Sequence, residues 1–178
     1  MNSELLGSVE TFKGAMQIFE VPNLWPSPLG SSVVWQRCYV AAFDHRPVGL
    51  VVVNDADLIP EAGHMPKPRK EGEPGWDGTG REIEDIYITP ALQGKGPDGE
   101  PPLAAKFYEF LWGSGRADKY SDLRTEHGEK LVRYANPDAA PALVDATISA
   151  NLENHYQNAL DTAAEFLRRH RESSDGEG

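Results

Sequence analysis

The chemistry this chain has to offer is concentrated in residues 82–103. Glu82 and Glu84 stand two residues apart in an apolar stretch that stops at Thr89-Pro90. Gln93-Gly94-Lys95-Gly96 follows, and a helix-patterned run begins at Leu103. A strand, a glycine-rich loop with a cation and a helix N-terminus make a unit suited to holding a pyrophosphate on backbone N–H groups. Carboxylates two apart on a strand share one face. Residues 97–102 work against the anion. Pro97, Pro101 and Pro102 have no N–H to donate. Asp98 and Glu100 bring negative charge, and two like charges about 4 Å apart repel by roughly 1 kcal/mol in water and about 4 at an effective dielectric of 20. Lys95 offsets part of that.

The elements that must position this loop follow from pattern. Residues 32–43 and 48–54 read as two strands around an Asp44-His45-Arg46-Pro47 turn. The unbroken run Val-Gly-Leu-Val-Val-Val predicts a strand buried on both faces. Residues 83–89 form a third strand. Residues 103–112 form a helix with Leu103, Phe107, Phe110 and Leu111 on one side, ended by Gly113 and Gly115. A short strand is predicted at 120–124, and Thr125 caps a helix over 126–135 that Asn136-Pro137 breaks. From residue 139 to 170 the spacing is helical, with Leu143, Val144, Ile148, Leu152, Tyr156, Ala159, Leu160, Ala163 and Leu167 in one stripe. That stripe packs on the body, or pairs with its own copy in a homodimer. Residues 1–20 carry a roughly helical apolar spacing, 55–80 read as a long Pro/Gly surface loop, and 173–178 as a disordered tail.

Composition narrows the function classes. The 178 residues fit one body of ordinary size, with 39% hydrophobic residues to build a core. A net charge of −11 argues against nucleic acid and anionic membranes as partners. Cys38 is the only cysteine, so no disulfide within the chain and no cysteine-rich zinc site is expected. The five histidines show no ligand spacing, and no metal is expected. The polar, acidic start does not resemble a signal peptide, and no apolar run is long enough to span a bilayer. A soluble cytoplasmic protein is the expectation.

The order hairpin, strand, glycine loop, helix, short strand, helix resembles the GNAT acetyltransferase superfamily. The residues that carry the resemblance are Ile86-Tyr87-Ile88-Thr89-Pro90-Ala91-Leu92-Gln93-Gly94-Lys95-Gly96, close to a hydrophobic strand followed by Gln/Arg-x-x-Gly-x-Gly/Ala. Ser121-Asp122-Leu123-Arg124-Thr125-Glu126-His127-Gly128-Glu129 is similar to a later segment of some bacterial and phage members. The resemblance covers roughly residues 33–135 and departs from the family at Asp98, where a Gly or Ala belongs. It implies an α/β fold with a mixed sheet and flanking helices. An acyl-CoA-binding domain would span 1–137, with a helical extension at 138–172. It implies acetyl-CoA as cofactor and an amine as acceptor, on a small molecule or a protein lysine. Ile86, Tyr87 and Ile88 would offer backbone to the pantetheine arm. Gln93, Gly94, Lys95 and Gly96, with Gly99, would hold the phosphates. Glu82 or Glu84 would be the base, and Tyr134 the acid for the departing thiolate.

The residues also support a reading from another class. The fold would be kept, the cofactor loop lost to its prolines and acids, and the chain would be a binding or structural module. An acidic mimic that occupies a basic surface is a third reading, carried by net charge alone.

Overall fold

The computed structural model describes residues 3–22, 36–55, 81–94, 96–117 and 153–176. They form five strands and two long helices: β1 (Glu4–Thr11), β2 (Gly14–Glu20), β3 (Gln36–Phe43), β4 (Arg46–Asp55), β5 (Arg81–Ile88), α1 (Leu103–Gly113) and α2 (Glu153–Gly176). The strands lie in chain order, each antiparallel to its neighbour. The α/β class is as expected. The sheet is antiparallel through all five described strands, and a parallel strand that would make it mixed is not among them.

The first hairpin corrects the helical reading of residues 1–20. Gly7 and Gly14 disfavour a helix there, each by roughly 1 kcal/mol against alanine. The turn Phe12-Lys13 is closed by the Thr11 hydroxyl, which accepts from the Lys13 N–H at 3.1 Å and donates to the Gly14 carbonyl at 2.8 Å. After it, Met16 and Ile18 alternate into the core as strand residues do. The second hairpin is tighter than predicted. Asp44 and His45 alone make the turn, both left-handed at φ 49 and 63, and Phe43 pairs with Arg46. Two-residue turns of this hand match strand twist, and Asp and His are among the non-glycine residues that tolerate it best. Arg46 and Pro47 therefore belong to β4. The proline is accommodated where the register slips between Ala41 and Ala42.

The sheet is covered on both sides, which is why β3 and β4 are apolar without alternation. Tyr39, Ala41, Val51, Val53, Ile83 and Ile88 face α1, packing with Leu103, Phe107, Tyr108 and Leu111. Phe19, Cys38, Val40, Ala42, Leu50 and Val52 face α2, packing with Tyr156, Leu160, Ala163 and Leu167. A register slip in β5 leaves Glu84 as the extra residue between Ile83 and Asp85. Ile83, Ile86 and Ile88 consequently all contribute to the α1 side despite their uneven spacing.

The C-terminal stripe lies on the sheet, so its positions from Tyr156 to Leu167 are spent within the chain and do not form a dimer seam. Leu143, Val144, Ile148 and Leu152 lie outside the described residues, as do the strand and helix expected at 120–135 and most of the 55–80 loop. The expected tail at 173–178 is corrected in part, since α2 continues to Gly176. Ion pairs one turn apart, Arg168 with Glu165 and Glu172 and Arg169 with Glu165, support its last turns.

Candidate functional site

The backbone of β5 decides what its edge offers. The Thr89 N–H donates to the Val48 carbonyl at 2.9 Å, which makes 48 and 89 a hydrogen-bonded pair. Such pairs alternate along an antiparallel ladder. Leu50 and Tyr87 are therefore also a hydrogen-bonded pair, whereas Ile86 and Ile88, opposite Val51 and Gly49, turn their backbone groups away from β4. Tyr87 thus directs its backbone inward and its ring onto Tyr156, 4.8 Å away and nearly parallel. Of the three residues expected to pair with a pantetheine arm, Ile86 and Ile88 point the right way and Tyr87 does not. The Ile88 carbonyl already accepts from the Gln93 side-chain amide at 2.7 Å.

The loop after β5 is bonded mainly to itself. Residues 90–92 make one tight turn, with the Leu92 and Gln93 N–H groups donating to Thr89 and Pro90 carbonyls. Pro97–Gly99 make another, with Asp98 left-handed at φ 58 and Gly99 at φ 76. The Gly96 N–H donates to the Glu100 carbonyl at 2.9 Å, and the Glu100 N–H returns to Pro97 at 3.2 Å. A side chain on Gly96 would collide with the Phe12 ring, which lies 2.5 Å from where a Cβ would stand. Gly96 is thus required by the β1–β2 turn packed over it, and its amide is spent inside the loop. Gln93, Gly94 and Gly99 are exposed, Gly94 at φ 96. Lys95 lies outside the described residues.

Among the expected catalytic residues, Glu82 pairs in register with Asn54, and Glu84 is the bulged residue of β5. Tyr134 lies outside the described residues.

A buried ion network, not foreseen from the sequence pattern, stands at the end of the sheet. Asp55 is 0% exposed and accepts from the Arg37 Nε at 2.6 Å; the Arg81 Nε lies 3.4 Å from the same oxygen. Arg81 also donates to the Gly115 carbonyl just past α1 at 2.6 Å, and Arg37 approaches Glu20 at 3.7 Å. The network joins β2, β3, β4, β5 and the end of α1. Its bond to Asp55 holds the Arg37 guanidinium charged more firmly than usual. Burial, and secondarily the Glu20 carboxylate, pushes the neighbouring Tyr39 hydroxyl well above the ordinary tyrosine range. The clue available in sequence was only an Asp at the end of a Val-Val-Val run and an Arg at the start of the next strand.

The structure also joins His45 and His170, 125 positions apart, at 3.2 Å between ring nitrogens. Among the described residues, no three of His, Cys, Asp and Glu gather as metal ligands. No described helix is long and apolar enough to cross a membrane. No protein-family model, curated protein or solved structure matches the chain.

Proposed function

We propose that this chain acts by binding a protein partner rather than by transferring acetyl groups, with the GNAT-like order of elements kept as scaffold. The observation that carries this reading is Gly96. Its N–H is given to Glu100 and its open face to Phe12, so the two features that suit a glycine to a pyrophosphate are both used within the chain. Residues 97–102 add three prolines and two acids at the same place. A net charge of −11 favours a partner with a basic surface, through faster encounter more than tighter hold.

Acetyl transfer to an amine is the second reading. The outward backbone of Ile86 and Ile88 and the sequence of strand, loop and helix favour it. It requires Phe12 to leave Gly96 and the Gly96–Glu100 bond to open. Acetyl-CoA titrated into the purified chain by calorimetry separates the two. The expected result is no heat at millimolar cofactor. Micromolar binding, about −8 kcal/mol, would overturn the partner-binding reading and direct the search to amine acceptors.

A further inference from the structure

We propose that the outer edge of β5 takes up an extended, lysine- or arginine-rich segment of a partner protein as an added strand. The proposal rests on the partner-binding reading above and names where and how that partner is held. Among the described residues β5 is the last strand of the sheet. Pairing on its inner side fixes which groups face outward. Tyr87 forms a hydrogen-bonded pair with Leu50, so the N–H and carbonyl of Ile86 and the N–H of Ile88 point away from β4. None of these three groups has a hydrogen-bond partner among the described residues. The Ile88 carbonyl does, since it accepts from the Gln93 side-chain amide at 2.7 Å. Gln93 therefore closes the edge at its Thr89 end, and the open part is centred on partly exposed Ile86.

Open backbone groups on an edge strand are a template for another extended chain. One residue of an incoming strand pairs with Ile86 through two main-chain bonds, and a third bond reaches the Ile88 N–H. Main-chain bonding accepts almost any sequence, so the choice of partner comes from charge.

The charge around this edge is negative. Residues 81–102 carry five carboxylates, Glu82, Glu84, Asp85, Asp98 and Glu100, against two cations, Arg81 and Lys95. The buried Asp55 already engages Arg81 at 3.4 Å, and Asp98 and Glu100 are exposed. A second copy of this chain would bring the same carboxylates to the edge, and like charges opposed across a strand pair are destabilising. A nucleic acid would bring phosphates to the same acids and has no peptide groups with which to complete a ladder. A basic extended peptide meets both requirements. Its cations speed encounter and exclude acidic competitors, and its main chain sets the register.

Amide hydrogen exchange of the intact chain, read residue by residue by nuclear magnetic resonance, tests this with a capped Lys-Val-Lys-Val-Lys peptide as probe. In the free chain the Tyr87 amide should be protected and the Ile86 amide should exchange faster. Peptide at about nine times its Kd should slow Ile86 about tenfold and leave Tyr87 unchanged. The same peptide N-methylated at every residue keeps the charge and loses the ladder. A Glu-Val-Glu-Val-Glu peptide keeps the ladder and reverses the charge. Neither should slow Ile86, and equal slowing by either would overturn the proposal. So would an Ile86 amide already protected in the free chain. Protection at every protein concentration would put another segment of this chain on the edge, and protection that grows with concentration would put a second copy there. Acetyl-CoA gives the control that separates this proposal from the reading it rests on. Slowing of Ile86 by acetyl-CoA would overturn both. No slowing by acetyl-CoA or by the lysine peptide would overturn the β5 edge alone and leave the partner to be sought on another surface.

Discussion

The two faces of the sheet are covered by helices of different origin. α1 follows β5 closely in the chain, and its face is closed by a short loop bonded to itself and by a buried ion network. α2 arrives from the far end of the chain, and its face is closed by apolar packing, the Tyr87–Tyr156 stack and the His45–His170 bond. The α1 side carries the Gly96 loop and the Asp55 network. The α2 side has neither, and its last turns rest on a half-buried pair of rings. The comparison teaches that apolar burial on both faces does not mean equal resistance. One side is secured by groups that cannot be released singly without leaving a buried charge, whereas the other can release its helix end locally.

The sharpest way to break the α1 side is Asp55→Ala. It leaves Arg37 and Arg81 without their shared buried partner. The expected loss is about 3 kcal/mol, the lower end for a broken buried pair because both guanidiniums keep some access to water. Urea unfolding measures it, and a loss below about 1 kcal/mol would show that the network contributes no more than a surface pair. On the α2 side, Leu167→Ala removes a side chain that is 0% exposed. It should cost about 2 kcal/mol, the lower end for such truncations because a helix end can settle into the gap. Hydrogen exchange should place that loss in α2 alone; an equal loss across α1 and the sheet would remove the distinction between the faces.

The smallest effect sharpens the comparison at alkaline pH. The Tyr39 hydroxyl is held above its ordinary range by burial and by Glu20. A raised value means the unfolded chain releases that proton first. The stabilisation is complete below about pH 10 and falls as pH rises past it, by up to about 1.4 kcal/mol per pH unit. Tyr39→Phe keeps the ring and should flatten that limb relative to the native chain. Stability curves measured from pH 9 to 11 check it, and parallel curves would show that Tyr39 ionises freely in the folded state.

Much of the layered architecture was legible in the residues. The run without alternation in β4 demanded cover on both sides, and the stripe at Tyr156, Ala159, Leu160, Ala163 and Leu167 announced one of the covers. The Leu103–Gly113 helix and the third strand fell close to their expected bounds. The first hairpin was misread because Leu5, Leu6, Val9 and Phe12 fit a helical spacing until the turn chemistry of Thr11 and Gly14 is weighed. The glycine loop was legible as a motif and not as a geometry. Gly96 matches a phosphate-holding position by type, yet Phe12, far away in sequence, is what occupies the space its missing side chain leaves.

What the residue order determined by itself was local. It set which positions alternate, which segments are apolar on one face or two, where chain direction must reverse, and how acidic the surface is. Periodicity reports the face a residue shows, and turn residues report backbone angles, because both arise from neighbours in the chain. The tertiary structure alone decided that Asp55 meets Arg37 and Arg81 and that His45 meets His170. Both join residues well apart in the chain, and the Asp55 contacts depend on strand register. A slip of one residue would turn the side chains to the other face and dissolve the contact without altering the local pattern.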